Sequence, residues 1–210
     1  MNKGLFITVE GIEGAGKTTN LNFIKSLLEG EGRSVVVTRE PGGTPMAEEI
    51  RDLLLRPRNE KVSSTAELLL MFAARVQHLE EKIRPALDAG ACVLSDRFTD
   101  ATYAYQGAGR GLDWAMIESL EKLVLGNFEP DLTLLLFIDP GLGMDRAKKR
   151  GALDRFEQEK LEFYSRVQRG YMQREEKSPD RILRVDATQS LDKVQEEIAR
   201  RIKQKLKGSF

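Results

Sequence analysis

Residues 5–19 of the chain read Leu-Phe-Ile-Thr-Val-Glu-Gly-Ile-Glu-Gly-Ala-Gly-Lys-Thr-Thr. A short apolar run, typical of a buried strand, leads into the pattern Gly-x4-Gly-Lys-Thr, and a helix-forming segment follows. The glycines allow backbone amides to curve round a polyphosphate, while Lys17 adds a full positive charge and Thr18 offers a hydroxyl to Mg²⁺. We therefore predict that the phosphate loop, defined as residues 11–18, binds a nucleoside triphosphate. The expected contacts are Gly11, Ile12, Glu13, Gly14, Ala15, Gly16, Lys17, Thr18 and Thr19.

Composition and charge limit the class of protein. Its 210 residues carry 33 Lys and Arg against 33 Asp and Glu, so no overall charge points to nucleic acid or to a membrane surface. No stretch has the length and apolarity of a transmembrane span, and the start of the sequence lacks the pattern of a signal peptide. The lone Cys92 lies in an apolar run and is interpreted as a small buried side chain. We expect a cytoplasmic protein with one domain over residues 1–210.

Short apolar runs alternate with helical patterns, which predicts a parallel sheet covered by helices on both faces. Thr44 and Pro45 predict a helix start with Thr44 as N-cap, and Ser64 and Glu67 have the spacing of a capping box that opens a long helix towards Ala89. A last helix after residue 190 ends in a basic tail, which we interpret as a solvated helix end. The predicted strands are Leu5 to Glu10, Ser34 to Thr38, Ala91 to Ser95, Leu132 to Ile138 and Ile182 to Asp186.

The phosphate loop alone does not separate a switch, a motor and a kinase. A GTPase needs the base-reading element Asn-Lys-x-Asp and an Asp-x-x-Gly turn, and this sequence contains neither. Motor ATPases usually need a larger domain. A small kinase needs a second phosphate site opposite the first and a basic lid, and the chain offers candidates for both.

Charged residues at predicted strand ends are candidates for the second phosphate site and for the metal, because ligands of open parallel sheets bind at the carboxyl ends of strands. Arg39 opens the turn after the second strand, where it could hold an acceptor phosphate or be an ordinary surface arginine. After the third strand, Asp96 is predicted to hold Mg²⁺ through water and Arg97 to clamp a phosphate. Asp139 competes for the metal role, but it precedes Pro140 and is assigned to capping a helix.

The basic cluster, defined as residues 146–150, is the candidate lid. Gly151 interrupts this cluster, and the phosphate loop contains no arginine that could stabilise a transferring phosphoryl group. We predict a lid over residues 143–157 in preference to a solvated helix face. The choice of catalytic cation stays open among Arg146, Lys148, Lys149 and Arg150.

The predicted long helix carries an aromatic ring and a cation on one face. Phe72 and Arg75 lie three residues apart, a spacing that suits stacking on a planar base and hydrogen bonding to its edge. Phe72 as ordinary core is the alternative. His78, the lone histidine, is interpreted as a satisfied polar contact rather than a catalytic base.

Taken together, these segments resemble the bacterial thymidylate kinase family over essentially the whole chain. The resemblance implies an α/β three-layer sandwich of the P-loop NTPase type, with a five-stranded parallel sheet in the order 2-3-1-4-5. It also implies ATP as phosphoryl donor, dTMP as acceptor, dTDP and ADP as products, Mg²⁺ as cofactor and a homodimer. The segments that carry it are residues 11–18, Thr38 to Gly43, Phe72 to His78, Asp96 to Phe98, Ala101 to Gly107 and Asp154-Arg155, and the run from Asp96 to Gly111 is highly specific.

The same resemblance implies roles for individual side chains. Lys17 and Arg150 would neutralise the transferring phosphoryl group, and Glu13 would touch the deoxyribose 3′-hydroxyl; with Arg97 they are the predicted catalytic residues. Many family members place the stacking phenylalanine four residues before the arginine, where this chain has Met71. In the acceptor site, Arg39 and Arg97 would hold the phosphate. Phe72 would stack on the thymine, and Arg75 and Thr102 would hydrogen-bond to its edge. Tyr105 would fill the space of a ribose 2′-hydroxyl, with Gln106 supporting the same wall.

Three rival functions remain at this point. A kinase for another small acceptor is the nearest, although paired arginines favour an acceptor that already carries phosphate. A nucleotide-dependent switch that binds partner proteins is opposed by the missing base-reading motif. An inactive descendant is opposed by the joint presence of Lys17, Thr18, Asp96 and Arg97.

Overall fold

A single parallel sheet forms the centre of the computed structural model, which describes residues 4–148 and 154–207. Its five strands lie in the order β2-β3-β1-β4-β5, which confirms the predicted topology. Each predicted strand is present, with its ends shifted by one residue at most. The strands are β1 (Phe6–Glu10), β2 (Val35–Arg39), β3 (Cys92–Asp96), β4 (Leu132–Phe137) and β5 (Ile182–Asp186).

The central strand β1 pairs with β3 on one side and with β4 on the other. Val9 lies opposite Asp96, the last residue of β3, so the carboxyl ends of β1 and β3 lie together at one edge of the sheet. Almost every residue of β1, β3 and β4 is buried, because helices cover both faces and each strand must be apolar on both sides. This arrangement brings the phosphate loop and the residues after β3 together.

Helices connect the strands and cover the sheet. Two short π-helical segments, Leu79–Ile83 and Tyr103–Gly109, continue helices without a break. The α-helices are α1 (Lys17–Gly30), α2 (Pro45–Leu55), α3 (Ser64–His78), α4 (Arg84–Asp88), α5 (Thr99–Thr102), α6 (Trp114–Leu125), α7 (Pro140–Lys148), α8 (Leu161–Lys177) and α9 (Leu191–Lys207).

Of the helix N-terminal caps predicted from the sequence, two are present in the structure and one is not. The Thr44 hydroxyl accepts a hydrogen bond from the Ala47 amide at 3.4 Å, and an Asp139 carboxylate oxygen accepts one from the Leu142 amide at 3.1 Å, so both predicted caps are confirmed. The predicted capping box is wrong. The N-cap of α3 is Ser63, whose side chain makes no capping hydrogen bond within the described ranges. The carboxylate of Glu67 is buried and engaged elsewhere, which leaves it unable to cap.

The apolar core lies on both sides of the sheet. Strand side chains such as Leu134 and Leu94 pack against α1, α8 and α9, and Phe6 and Phe98 form a smaller cluster with Phe128 on the other side. Cys92 is fully buried, in agreement with the sequence interpretation. Among the described helices, none combines the length and the apolarity needed to cross a bilayer.

Candidate active site

The phosphate loop joins the end of β1 to the start of α1. The Lys17 ammonium lies back across the loop and donates hydrogen bonds to the carbonyl oxygens of Gly11 and Ile12, both at 3.2 Å. Gly14 has φ +76°, and a Cβ at this position would lie 2.1 Å from the carbonyl oxygen of Gly143 in α7. Only glycine fits there, because both the backbone conformation and the contact exclude a side chain.

An open hollow lies beside the loop and includes the predicted metal ligands. Thr18 is exposed at its floor, and Asp96 approaches from the end of β3. Oxygen Oδ1 of Asp96 is buried and has no hydrogen-bond partner among the described residues, as expected for a carboxylate that completes its bonding with a hydrated cation. The hollow is lined by Gly14, Gly16, Lys17, Thr18, Thr19, Asp96 and Arg146.

These residues fit Mg²⁺ held partly by phosphate oxygens. Residues 4–148 and 154–207 contain no group of three acidic, His or Cys side chains that could form a metal cage of its own. A magnesium ion bound at one or two protein oxygens takes its other ligands from water and substrate phosphates. Thr18 and Asp96 offer such a partial set.

Arg97 lies immediately after β3 and connects this hollow to a second cavity. Its backbone has φ +71°, a left-handed conformation that is uncommon outside glycine. The guanidinium donates to a carboxylate oxygen of Glu13 at 2.7 Å and to the Tyr171 hydroxyl at 3.1 Å, and it lies 4.7 Å from the centre of the Tyr105 ring. Arg97 is thus held by the phosphate loop, the Tyr103–Gly109 segment and α8 at once.

Charge pairing dominates the electrostatics around Arg97. Burial by itself would raise the pKa of Glu13, but Arg97 and Lys17 outweigh it and hold that pKa below its usual range. Burial also lowers the pKa of Lys17, with Arg97 acting in the same direction. The Tyr105 hydroxyl donates to the second oxygen of Glu13 at 2.5 Å. Glu13 is therefore an ionised carboxylate shared by Arg97 and Tyr105.

The acceptor cavity, as we call the second cavity, lies next to the phosphate loop. It contains six predicted residues: Glu13, Arg75, Arg97, Thr102, Tyr105 and Gln106. The remaining lining residues are Glu40, Pro41, Arg51, Leu55, Met71, Phe98, Ala101, Asp154 and Phe156.

A buried chain of hydrogen bonds holds Arg75 in the wall of this cavity. Its Nε donates to Glu40 at 2.7 Å, and its Nη2 donates to the Phe98 carbonyl at 3.2 Å. The other Glu40 oxygen lies 3.0 Å from His78 Nδ1, and His78 Nε2 lies 2.6 Å from the Thr38 hydroxyl. His78 is fully buried with both nitrogens bonded, which agrees with its interpretation as a polar contact. Nη1 of Arg75 is buried without a hydrogen-bond partner among the described residues, so its donor capacity is unused within them.

Two predicted residues lie outside this cavity, and a third is not among the described residues. Arg39 forms an ion pair with Glu48 at 2.8 Å, with 54% of its side chain exposed, and borders a separate surface hollow. Phe72 packs in a core cluster, with the Arg75 guanidinium 5.0 Å from its ring centre, whereas its neighbour Met71 lines the cavity. Arg150 lies outside the described residues.

Sequence reasoning missed one arginine of the cavity. Arg51 projects from α2 and donates to the Pro41 carbonyl at 2.8 Å. Burial lowers its pKa, and Arg39 adds to this effect. The signal was present in the helical spacing, since Arg51 lies four residues after Ala47 and three before Leu54, the two buried residues of α2.

The segment that follows the basic cluster is anchored at the rim of the cavity. The Arg155 amide donates to the Leu55 carbonyl at 3.1 Å, and its Nε donates to the Leu54 carbonyl at 2.8 Å. Its Nη2 forms an ion pair with buried Glu67 at 2.7 Å. Glu67 also accepts a hydrogen bond from Gln106 at 2.8 Å. One carboxylate on α3 therefore binds both the cavity wall and the segment after residue 153.

Comparisons with known proteins identify the family that this chain resembles. The family model described as thymidylate kinase matches residues 9–198. A thymidylate kinase from Hahella chejuensis is 73% identical over 99% of this chain and 100% of its own length, and one from Teredinibacter turnerae is 56% identical over 94% and 96%. The crystal structure of thymidylate kinase from Ehrlichia chaffeensis, 34% identical, superposes with a TM-score of 0.78 over 96% of this chain and 99% of that one.

Proposed function

The chain belongs to the thymidylate kinase family and acts as a phosphotransferase on dTMP; on this premise we propose that it moves the γ-phosphoryl group of ATP to dTMP with the help of Mg²⁺, giving dTDP and ADP. One observation supports this proposal above others. Asp96 and Arg97 are consecutive at the end of β3, yet Asp96 lines the hollow of the phosphate loop and Arg97 lines the acceptor cavity. A donor and an acceptor phosphate would therefore meet at this strand end.

In the proposed reaction the protein positions two phosphates and stabilises their charge. An acceptor phosphate is already anionic near neutral pH, so the transfer needs no general base. Lys17 would leave its two carbonyl partners for the donor phosphates, while Arg97 holds the acceptor phosphate. Thr18 and Asp96 would hold Mg²⁺, which supplies charge neutralisation on the donor phosphates when bound.

The lid over residues 143–157 and its cation Arg150 remain part of the proposal. Arg146 at the end of α7 lines the hollow of the phosphate loop, so the basic cluster begins beside the donor site. A lid that closes there would exclude water and add positive charge at the transferring group. Its far end is fixed by Arg155 and Glu67.

We propose that the base of dTMP lies between Arg75 and Thr102. Nη1 of Arg75, which has no hydrogen-bond partner among the residues described, would donate to a carbonyl oxygen of thymine. Met71 would contact the face of the ring, with Phe72 packed behind Arg75. Arg51 would join Arg97 around the acceptor phosphate, and Arg39 would reach it only after leaving Glu48.

Selection of a deoxyribose would depend on the Glu13–Tyr105 pair. The Tyr105 ring is held on one side by Glu13 and packs on Phe156, Phe163 and Tyr171. A tyrosine fixed in this way cannot move aside for an additional hydroxyl, which would disfavour a ribonucleotide. Gln106 would support the same wall through its hydrogen bond to Glu67.

A homodimer in the cytoplasm completes the proposal. Helices α3 and α6 pack together and leave large apolar side chains in solvent, including Leu69 (52% exposed), Met116 (43%) and Leu123 (79%). Such a surface favours a partner. Sedimentation velocity should show a dimer for the natural chain and a monomer for Leu123→Glu; a natural chain that sediments as a monomer would contradict this part.

The activity is tested by ADP release from Mg-ATP with dTMP, dUMP, dCMP, thymidine or no acceptor. We expect fast turnover with dTMP, weak turnover with dUMP because one methyl group is worth only ~1–3 kcal/mol, and none with thymidine. Lys17→Ala and Arg97→Ala should each raise the barrier by about 3 kcal/mol or more with the fold intact, whereas the surface variant Arg84→Ala should not. Equal ADP release with every acceptor would favour a nucleotide-dependent switch or hydrolase instead.

A further inference from the structure

A buried chain of hydrogen bonds leads from the end of β1 to Arg97. Glu10, the last residue of β1, has no exposed surface. One of its carboxylate oxygens accepts a hydrogen bond from the Phe98 amide at 2.7 Å, and the other accepts one from the Tyr171 hydroxyl at 2.7 Å. The Tyr171 oxygen in turn accepts from Nη1 of Arg97 at 3.1 Å.

We infer that Tyr171 and Glu10 are positioning residues that hold the Arg97 guanidinium ready for the acceptor phosphate. This inference rests on the proposed function, because it concerns how Arg97 is presented to dTMP. Neither residue lines the acceptor cavity. Both would therefore act on the acceptor phosphate through Arg97.

The distribution of partners around Arg97 supports this role. Nη2 is bonded to Glu13, a carboxylate that would repel an incoming phosphate and must share the guanidinium with it. Nη1 is bonded to Tyr171, a neutral oxygen that holds the group without opposing the phosphate. The hold is rigid, because Tyr171 projects from α8 and is 3% exposed. Its position is fixed in turn by Glu10.

The direction of the hydrogen bonds depends on the proton of Glu10. An ionised Glu10 accepts the Tyr171 hydrogen and leaves the Tyr171 lone pairs for Arg97. A neutral Glu10 can instead donate a hydrogen bond to the Tyr171 oxygen. The hydrogen of the Tyr171 hydroxyl then no longer points at Glu10 and can turn towards the N–H groups of Arg97, which weakens the hydrogen bond from Nη1. The chain therefore holds Arg97 best when Glu10 is ionised.

Several charged groups set the proton equilibrium of Glu10. Burial raises its pKa to about 7, and Asp100 of α5 acts in the same direction. Arg97, the Tyr171 hydroxyl of α8 and the Phe98 amide lower it, and Lys17 of α1 also faces it. Ionisation of Glu10 thus falls within the neutral range, where its effect on dTMP binding can be measured.

The test compares four proteins: the natural chain, Tyr171→Phe, Glu10→Gln and Tyr103→Phe. Tyr103 is the matched control, since it is equally buried and its hydroxyl donates to Glu121, with no hydrogen bond to Arg97 among the described residues. Titration calorimetry with dTMP and steady-state kinetics are run from about pH 6 to about pH 8.5, a range that brackets the Glu10 transition. Circular dichroism confirms that each variant is folded.

We expect Tyr171→Phe to weaken dTMP binding about fivefold at the upper end of the range, with kcat changed much less than KM. Glu10→Gln should bind dTMP like the natural chain at low pH and about fivefold more weakly at high pH, because it mimics the neutral acid. The dTMP phosphate has its own ionisation with a pKa of about 6, which every variant shares. The natural chain should therefore show one more ionisation in its pH profile than Glu10→Gln.

Two outcomes would overturn the inference. One is Tyr171→Phe binding dTMP as tightly as Tyr103→Phe, and the other is the same pH profile for Glu10→Gln and the natural chain. Failure of the proposed function would look different, because the natural chain itself would then neither bind nor phosphorylate dTMP at any pH.

Discussion

Glu10→Gln should stabilise the folded protein at neutral and alkaline pH, although it removes a charged group from the neighbourhood of Arg97. The folded state raises the pKa of Glu10 from its ordinary 4.5 to about 7, chiefly through burial. Each pKa unit corresponds to about 1.4 kcal/mol, so the ionised carboxylate destabilises the fold by about 3 kcal/mol relative to the neutral acid. Glutamine resembles the neutral acid at every pH.

The sign of the effect follows from proton linkage. A carboxyl group with a raised folded-state pKa contributes its full stability below the unfolded pKa, and this contribution is lost as pH rises through the folded pKa. The natural chain and Glu10→Gln should therefore be equally stable near pH 4.5. The gap should grow by up to about 1.4 kcal/mol per pH unit and level off at about 3 kcal/mol above pH 7.

Urea unfolding at a series of pH values measures this gap directly. Glu80→Gln serves as the control, because its carboxylate is mostly exposed in a surface pair with Arg84 and should shift stability by less than about 0.5 kcal/mol at any pH. A Glu10→Gln variant that is less stable than the natural chain at pH 8, or a gap that does not change with pH, would refute the reasoning. The first result would mean that the interactions of the ionised Glu10 with Arg97 outweigh the effect of its burial, and the second that the two effects on its pKa cancel.

Further predictions concern the phosphate loop and the rim of the acceptor cavity. Gly14→Ala should unfold at a markedly lower temperature and lose activity, because its Cβ would lie 2.1 Å from a carbonyl oxygen; Gly16→Ala, with a similar φ but its nearest neighbour at 3.5 Å, should lose only the ~1–2 kcal/mol of backbone strain. Equal melting temperatures for the two would contradict this. Glu67→Gln should lower stability by about 3 kcal/mol and speed limited proteolysis near residue 154, because it leaves the partly buried Arg155 without its carboxylate. Glu159→Gln, which changes a more exposed carboxylate, should have a smaller effect in the same assays, and a reversed order would exclude Glu67 as the anchor.

Much of the architecture could be predicted because parallel strands buried on both faces must be apolar throughout. The run from Leu132 to Ile138 shows this clearly, since its limits in sequence differ from those of β4 by a single residue. Glu13, Arg97 and Tyr105 lie together as expected, because Glu13 follows β1, the other two follow β3, and the sequence predicted these strands as neighbours. Local patterns were sufficient there.

The remaining features depend on long-range packing that no local pattern contains. Tyr171 meets Arg97 across 74 residues, and only the packing of α8 on the Tyr103–Gly109 segment brings them together. Ser64 and Glu67 matched a capping box in spacing, but burial against Arg155 gave Glu67 stronger partners than a helix terminus.

The left-handed backbone of Arg97 has an evolutionary consequence. Among the described residues, it is the one non-glycine residue with a positive φ. Glycine would relax this backbone but remove the guanidinium, and lysine would keep a charge but lose the fork that reaches Glu13 and Tyr171 together. Asparagine tolerates the conformation and carries no charge. Position 97 therefore offers selection no substitution that relaxes the backbone and keeps both the charge and the two contacts to Glu13 and Tyr171.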